Sequence, residues 1–94
     1  MNPNIKWSLK KDAYIELDQD GNSGVLIDTN SANYCSFNKN ALLILRKLIK
    51  GKATISTLTK EITNKNSVSL SVARKDVSVF LTKLKNMKLI NEKK

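Results

Sequence analysis

The first third of the chain carries short runs in which apolar and polar positions alternate, and one run that is apolar throughout. Alternation is typical of half-buried strands, and a short continuous apolar run suits a central strand. Turn residues such as Asp20, Gly21 and Asn22 separate the runs. The pattern predicts a tight antiparallel meander, with at most an edge segment at Trp7 and Leu9 before it. Its three strands cover residues 13–18, 24–28 and 33–37.

The rest of the chain has apolar residues three and four positions apart, which is the spacing of amphipathic helices. A first helix over residues 41–49 presents Leu42, Leu45, Leu48 and Ile49 on one face, and Gly51 ends it. Two further helices follow. The candidate N-caps of the three helices, in chain order, are Asn38, Thr54, and Ser69 or Ser71.

The third predicted helix is the longest; it follows a polar loop over residues 64–69 and ends near Met87. Val72 and Val79 are apolar but lie off the centre of its core stripe. They either pack against the sheet or a loop, or form an exposed apolar lip for a partner. The core stripe consists of Leu70, Ala73, Val77, Phe80, Leu81 and Leu84.

These elements predict an α+β fold in which a three-stranded antiparallel sheet precedes three helices (βββααα). The chain has 94 residues, which suits one domain with one core. We expect a single domain over residues 1–94, with flexible ends at residues 1–10 and 91–94. The expected core consists of Leu26, Ile44, Leu48, Leu58, Val77, Leu81 and Leu84.

Composition excludes several kinds of chemistry. The sequence has no histidine and one cysteine, Cys35, so a histidine-dependent catalytic triad is excluded and a zinc site lacks its common ligands. The three glycines do not have the spacing of a phosphate-binding loop. We therefore expect no catalytic residue, no metal and no cofactor, and a protein that is not an enzyme.

The expected location is the cytoplasm, without a membrane partner. No apolar run reaches the roughly 18 residues of a membrane span, and the N-terminus lacks the apolar segment of a secretion signal. A small secreted domain usually carries paired cysteines, whereas this chain has one.

Charge divides the chain. Residues 1–37 have three basic and five acidic side chains, a net charge of −2, and residues 38–94 have fourteen basic and three acidic ones, a net charge of +11. A basic half favours an acidic partner, which can be a peptide, a nucleic acid or a membrane surface. The alternative is a lysine-rich surface that only keeps the protein soluble.

Five segments carry a resemblance: residues 25–28, 34–38, 51–54, 76–84 and 88–90. They match an apolar strand ending in Asp, an aromatic third strand ending in Asn, a Gly-x-x-Thr, an Asp-Val-x-x-Phe-Leu-x-x-Leu and a final Leu-Ile. In this order they resemble the PqqD-like family of peptide chaperones, the recognition elements for ribosomally made, post-translationally modified peptides (RiPPs). The sequence departs from the family pattern at three positions, which leaves the subfamily open: Ala41, Leu45 and Lys88 stand where the family has Gly, a large aromatic residue and Gly.

The resemblance implies a winged-helix-like fold and a peptide-binding function. The leader segment of a precursor peptide is expected to dock as an added strand between the third strand and the third helix, and to be presented to a modifying enzyme. That enzyme is a radical-dependent or ATP-dependent maturase, or a leader peptidase. The expected peptide-binding residues are Asn33, Tyr34, Cys35, Ser36, Val72, Lys75, Asp76, Val79 and Lys83.

Each group of these residues has an expected role. The strand offers backbone groups, and the two valines offer apolar contacts. Lys75 and Lys83 face acidic residues of the peptide. Asp76 takes a basic residue or a backbone N–H, or ties the helix to a neighbouring loop. Alternation places Cys35 and Phe37 on the core face of the strand and Tyr34 on the other face.

The main alternative is a winged-helix DNA-binding regulator, and another kind of protein-interaction module, such as a toxin–antitoxin component, is a third possibility. A basic stripe at Arg74, Lys75 and Lys85 favours DNA. Two features oppose it. The loop over residues 64–69 is longer than the turn of about three or four residues in a helix-turn-helix, and the strands precede the helices, so that no hairpin wing follows the third helix.

Overall fold

A computed structural model describes residues 4–93 of the chain. Its six strands and three helices follow one another in the order ββββαβααβ. In chain order the elements are β1 Lys6–Leu9, β2 Ala13–Leu17, β3 Gly24–Asp28, β4 Asn33–Phe37, α1 Lys39–Lys50, β5 Ala53–Thr54, α2 Ile55–Lys65, α3 Leu70–Asn86 and β6 Ile90–Lys93.

Strands β2, β3 and β4 form the antiparallel meander that the sequence predicts, in the order β2-β3-β4. Leu26 in the central strand pairs with Ile15 on one side and Cys35 on the other, and this row faces the core. The neighbouring row pairs Tyr14, Ile27 and Tyr34 and faces outwards, because successive side chains of a strand point to opposite faces. We call this second surface the outer face of the meander.

The structure contains a second sheet, so the predicted order of three strands followed by three helices needs correction. Strand β1 does not join the meander as an edge segment; it pairs antiparallel with β6 on one side and with β5 on the other. Trp7 of β1 is buried. Sequence patterns carry little sign of this sheet, because β5 has two residues and β1 meets a strand from the opposite end of the chain.

Two strands of this sheet lie in the ends of the chain that the sequence predicts to be flexible. Residues Lys6–Leu9 and Ile90–Lys93 have regular strand structure. Residues 1–3 and 94, which belong to the same expectation, lie outside the described residues.

The helices begin at the predicted caps. The side-chain oxygens of Asn38, Thr54 and Ser69 accept hydrogen bonds from backbone N–H groups three residues later, so Ser69 rather than Ser71 caps α3. Within residues 4–93, no helix combines the length and apolar character that crossing a membrane requires.

The connection between α2 and α3 is shorter than predicted. Helix α2 continues to Lys65, because the backbone and side-chain N–H groups of Asn66 both donate to the carbonyl of Ile62. Only residues 66–69 remain between the two helices. The predicted loop over residues 64–69 is therefore wrong, and its length is no argument against a helix-turn-helix.

Helix α3 ends in a Schellman motif. The N–H of Leu89 donates to the carbonyl of Leu84, and that of Lys88 to the carbonyl of Lys85. Lys88 has a φ of 60°, in the left-handed region where glycine is favoured. The resemblance expects glycine at this position, and the chain has lysine, which fits the left-handed backbone less well.

All seven residues of the predicted core are buried, and so are Phe37 and Cys35. Two other apolar positions are corrected. Both lie in a terminal turn of their helix: Leu70 in the first turn of α3 is 60% exposed, and Ile49 in the last turn of α1 is also exposed.

Candidate functional site

A groove of about 410 Å³ lies between α3 and the segment in which β4 runs into α1. The start of β4 is fixed by the β3–β4 turn, where the buried carboxylate of Asp28 accepts hydrogen bonds from the N–H of Asn30 and the hydroxyl of Ser31. Residues from β4, α1, α2 and α3 line the groove: Ser36, Phe37, Asn38, Asn40, Ala41, Ile44, Ile62, Lys75, Asp76, Val79, Phe80 and Lys83.

The floor of the groove is apolar. Phe37, Ala41, Ile44 and Ile62 are buried, and Phe80 is half-buried beside them. Val79 stands at the edge and is 61% exposed. An exposed valine above a buried apolar floor is the arrangement that an apolar side chain of a ligand can complete.

The rim of the groove is polar and mostly basic. Lys75 and Lys83 are exposed and form no ion pair with any described residue. The N-terminus of α1 also borders the groove, and its first turn contains no acidic residue, so its dipole adds positive potential. Asp76 is the exception, and it too is unpaired among the described residues, which removes the interpretation that it ties α3 to a loop.

Strand β4 presents an unpaired edge to this region. Within the part of the chain that the structure describes, β4 pairs with β3 alone. One end of the edge is held to α3, because the side-chain amide of Asn33 donates to the carbonyl of Met87 at 2.8 Å. The other end opens at Ser36 into the groove.

The structure brings five of the nine expected site residues together in the groove: Ser36, Lys75, Asp76, Val79 and Lys83. The other four lie outside its lining. Asn33 holds β4 to Met87, and Tyr34 lies on the outer face and is 67% exposed. Cys35 is buried, so that only its backbone can face a ligand. Val72 is exposed one helical turn before Asp76.

Sequence reasoning missed the floor and the α1 side of the groove. The helical pattern assigns Phe80 to the core stripe of α3, and Ile44 belongs to the expected core. Their spacing indicates that they face inwards. It does not indicate that the space above them is left open as a groove. The sequence feature that could have indicated the α1 side of the groove is a pair of polar residues at the start of the helix, Asn38 and Asn40.

Comparisons with known proteins agree with this architecture. A family model described as "Coenzyme PQQ synthesis protein D (PqqD)" matches residues 23–90. A search of curated proteins gives no match.

Two solved structures are similar in fold. One is a lasso peptide synthetase B1 complexed with the leader peptide, with a TM-score of 0.73 and 24% identity over 90% of this chain and 96% of that chain. The other is the PqqD truncation of Methylobacterium extorquens PqqCD, a stand-alone RiPP recognition element, with a TM-score of 0.77 and 18% identity over 97% of this chain and 94% of that chain.

Proposed function

Because the chain belongs to the PqqD family, we propose that it is a non-catalytic module that binds the leader segment of a ribosomally made precursor peptide and presents it to a modifying enzyme. The observation that carries the proposal is the unpaired edge of β4 beside the groove against α3. Two structures of similar fold support it: one is complexed with a leader peptide, and the other is a stand-alone recognition element.

The backbone of β4 supplies the first part of the affinity. A peptide that adds as a strand forms hydrogen bonds with the unpaired N–H and C=O groups of the edge. Each such bond contributes about 0.5–1.5 kcal/mol net. These bonds do not depend on the peptide's sequence, so they favour an extended conformation rather than a particular peptide.

The groove supplies the second part. An inward-facing side chain of the added strand enters the space above Ile44 and Phe80 and contacts Val79 at its edge. Burying a Val, Leu, Ile or Phe side chain is favourable by about 1.5–3 kcal/mol. Micromolar affinity corresponds to about −8 kcal/mol, so the backbone bonds and two such anchors must together exceed this value by the free energy that association costs.

Charge supplies the preference for an acidic peptide. Lys75 and Lys83 on the groove rim have no ion-pair partner among the described residues, and the α1 N-terminus adds to their positive potential. Such a rim accelerates encounter with an acidic segment more than it tightens the complex. Asp76 between them takes one basic side chain or a backbone N–H of the peptide.

The protein itself does not catalyse the modification. It has no histidine, and its one cysteine is buried in the core. The partner that acts on the peptide is a radical-dependent or ATP-dependent maturase, or a leader peptidase. Precursor peptides are made on ribosomes, and we place the protein with them in the cytoplasm, where its free cysteine stays reduced.

DNA binding is the competing function. The four-residue connection over residues 66–69 fits a helix-turn-helix. However, Lys85 of the basic stripe is engaged within the protein: its Nζ lies 3.4 Å from Glu92 Oε1 and 5.9 Å from the centre of the Trp7 ring. The strand after α3 pairs with β1 and forms no hairpin wing among the described residues. Neither similar structure is a DNA-binding protein by its description.

Calorimetric titration tests the proposal directly. The ligands are synthetic leader segments of the short peptides encoded next to the gene, and a scrambled version of each is the control. We expect one leader to bind with a micromolar Kd and its scrambled version to bind at least about tenfold more weakly. If no leader binds while mixed-sequence DNA is retarded by the protein at physiological salt, the DNA-binding function replaces the proposed one.

A further inference from the structure

The outer face of the meander is more apolar than a solvent-facing sheet surface needs to be. Antiparallel sheets with one face in water usually alternate apolar residues inwards with polar ones outwards. Here the outward positions of the three strands are Tyr14, Glu16, Val25, Ile27, Tyr34 and Ser36. Two tyrosines and two β-branched aliphatic residues therefore face outwards.

The aromatic and aliphatic residues of the outer face form a row across the strands. Ile27 pairs with Tyr14 on one side and with Tyr34 on the other. Aromatic and β-branched side chains that lie opposite each other in a sheet attract each other. The row ends at Tyr34, because β4 has no described neighbour beyond it.

The side chain at the end of this row, Tyr34, is unusually exposed. Tyr34 is 67% exposed and Val79 is 61% exposed, the two largest values among the large apolar side chains of the described residues. They stand on either side of the same unpaired edge, Tyr34 on the outer face of β4 and Val79 on α3. Ser36, which shares the outer face with Tyr34, also lines the groove, so the two surfaces are continuous.

We infer that Tyr34 is a specificity residue that selects an aromatic or β-branched side chain on the outward-facing side of the bound peptide. The inference rests on the proposed function, because it needs a peptide strand beside β4. That strand extends the Tyr14–Ile27–Tyr34 row by one position, and the residue placed there lies next to the Tyr34 ring. The peptide is then recognised on both faces, by the groove inwards and by Tyr34 outwards.

A matched control lies in the same row. Tyr14 has the same chemistry and is also exposed, at 42%. It lies two strands away from Tyr34, and neighbouring strands are about 4.8 Å apart, so its side chain is not the neighbour of the added peptide. Tyr34→Ser and Tyr14→Ser therefore make the same chemical change on the same face, and only the first touches the proposed contact.

The test is a selection from a displayed library of random-sequence peptides, with sequencing of the bound pool for the wild-type protein and both variants. We expect the wild-type pool to alternate, with apolar residues at inward positions and an aromatic or β-branched residue enriched at one outward position. Tyr34→Ser should remove the outward enrichment and keep the inward pattern, and Tyr14→Ser should keep both. In calorimetry, alanine at the outward position should weaken binding to the wild type about two- to fivefold and leave binding to Tyr34→Ser unchanged.

The outcomes separate this inference from the proposed function. An outward enrichment that survives in Tyr34→Ser, or that is lost equally in both variants, overturns the role of Tyr34 while peptide binding stands. An inward pattern without any outward enrichment does the same. If the wild-type protein enriches no peptide pattern at all, the proposed function fails and the inference fails with it.

Discussion

The meander has two edges that are unpaired among the described residues, and we propose that one of them, β4, receives the peptide. Strand β2 and strand β4 both pair with β3 alone among the described residues. Beside β4 lie the groove, the exposed Val79 and two unpaired lysines of α3. Strand β2 contains the acidic Glu16, whereas β4 itself contains no charged residue. In the proposed function an exposed strand edge is not enough for binding, and the helix beside β4 supplies the pocket and the charge.

We propose that acidic residues also protect the β2 edge from such a peptide. Glu16 lies within β2, and Asp12 and Asp18 flank it. Charged side chains on an edge strand are a common defence against unwanted pairing. In this proposal they repel an acidic peptide from β2, whereas Lys75 and Lys83 attract it to β4. Charge therefore distinguishes the two edges before any specific contact forms.

The largest expected effect concerns the helix that makes the two edges different. Leu84 is fully buried in α3, so Leu84→Ala should lower the free energy of unfolding by about 2–5 kcal/mol. Leu70→Ala is the control, because the sequence pattern places both leucines in one stripe whereas Leu70 is 60% exposed. It should change stability by less than about 0.5 kcal/mol. Equal midpoints of chemical denaturation for the two variants would contradict the burial that the structure assigns to α3.

A charge introduced next to each of the two edges tests the comparison itself. Val79→Asp places an unpaired carboxylate in the apolar contact of the groove, and we expect it to weaken peptide binding at least about 100-fold. Leu17→Asp makes the same kind of change at β2, where the leucine is 48% exposed, and should leave the affinity within about twofold. Both variants should keep the far-ultraviolet circular dichroism spectrum of the wild type. A reversed order of the two affinities would move the peptide to β2.

Charge reversal on α3 should have a smaller effect that depends on salt. Lys83→Glu replaces attraction of an acidic peptide by repulsion, and it should weaken binding about three- to tenfold at low ionic strength, less as salt screens the charges. Arg74→Glu carries the same change in net charge but lies outside the groove lining, so it should leave peptide affinity almost unchanged. Calorimetry at two salt concentrations checks both variants. Lost affinity in Arg74→Glu with full affinity in Lys83→Glu would favour the basic stripe and nucleic acid.

The smallest expected effect concerns the link between β4 and α3. Asn33→Ala removes the hydrogen bond from its side-chain amide to the carbonyl of Met87, which should lower stability by about 0.5–1.5 kcal/mol. Asn30→Ala, in the β3–β4 turn, is the control, because Asn30 bonds to Asp28 through its backbone N–H, which the variant keeps. Indistinguishable thermal unfolding of the two variants would mean that the bond from Asn33 does not hold the edge in place.

The meander, the helices and most of the core could be predicted from the sequence because their signals are local. Alternation and one continuous apolar run define β2 to β4, and the caps Asn38, Thr54 and Ser69 define where the helices begin. The second sheet could not be predicted in this way. Strand β6 meets β1 across nearly the whole chain, and periodicity within a segment carries no information about such a partner.

The candidate site could be predicted only in part, for a similar reason. The helical periodicity separates Val79 from the core stripe, and the structure places it on the groove edge. The same periodicity puts Val72 beside Val79, although Val72 lies outside the groove lining. It assigns Phe80 to the core, because periodicity gives the direction of a side chain and not how far the packing extends above it. Only the arrangement of α1 against α3 reveals that a groove opens there.

Amide hydrogen exchange, measured residue by residue by NMR with and without a bound leader peptide, tests the central claim most directly. A peptide strand paired with β4 takes up the outward N–H groups of that edge and slows their exchange. The account predicts new protection at amides within Asn33–Phe37 and unchanged exchange within Ala13–Leu17. New protection in β2, with β4 unchanged, would contradict it.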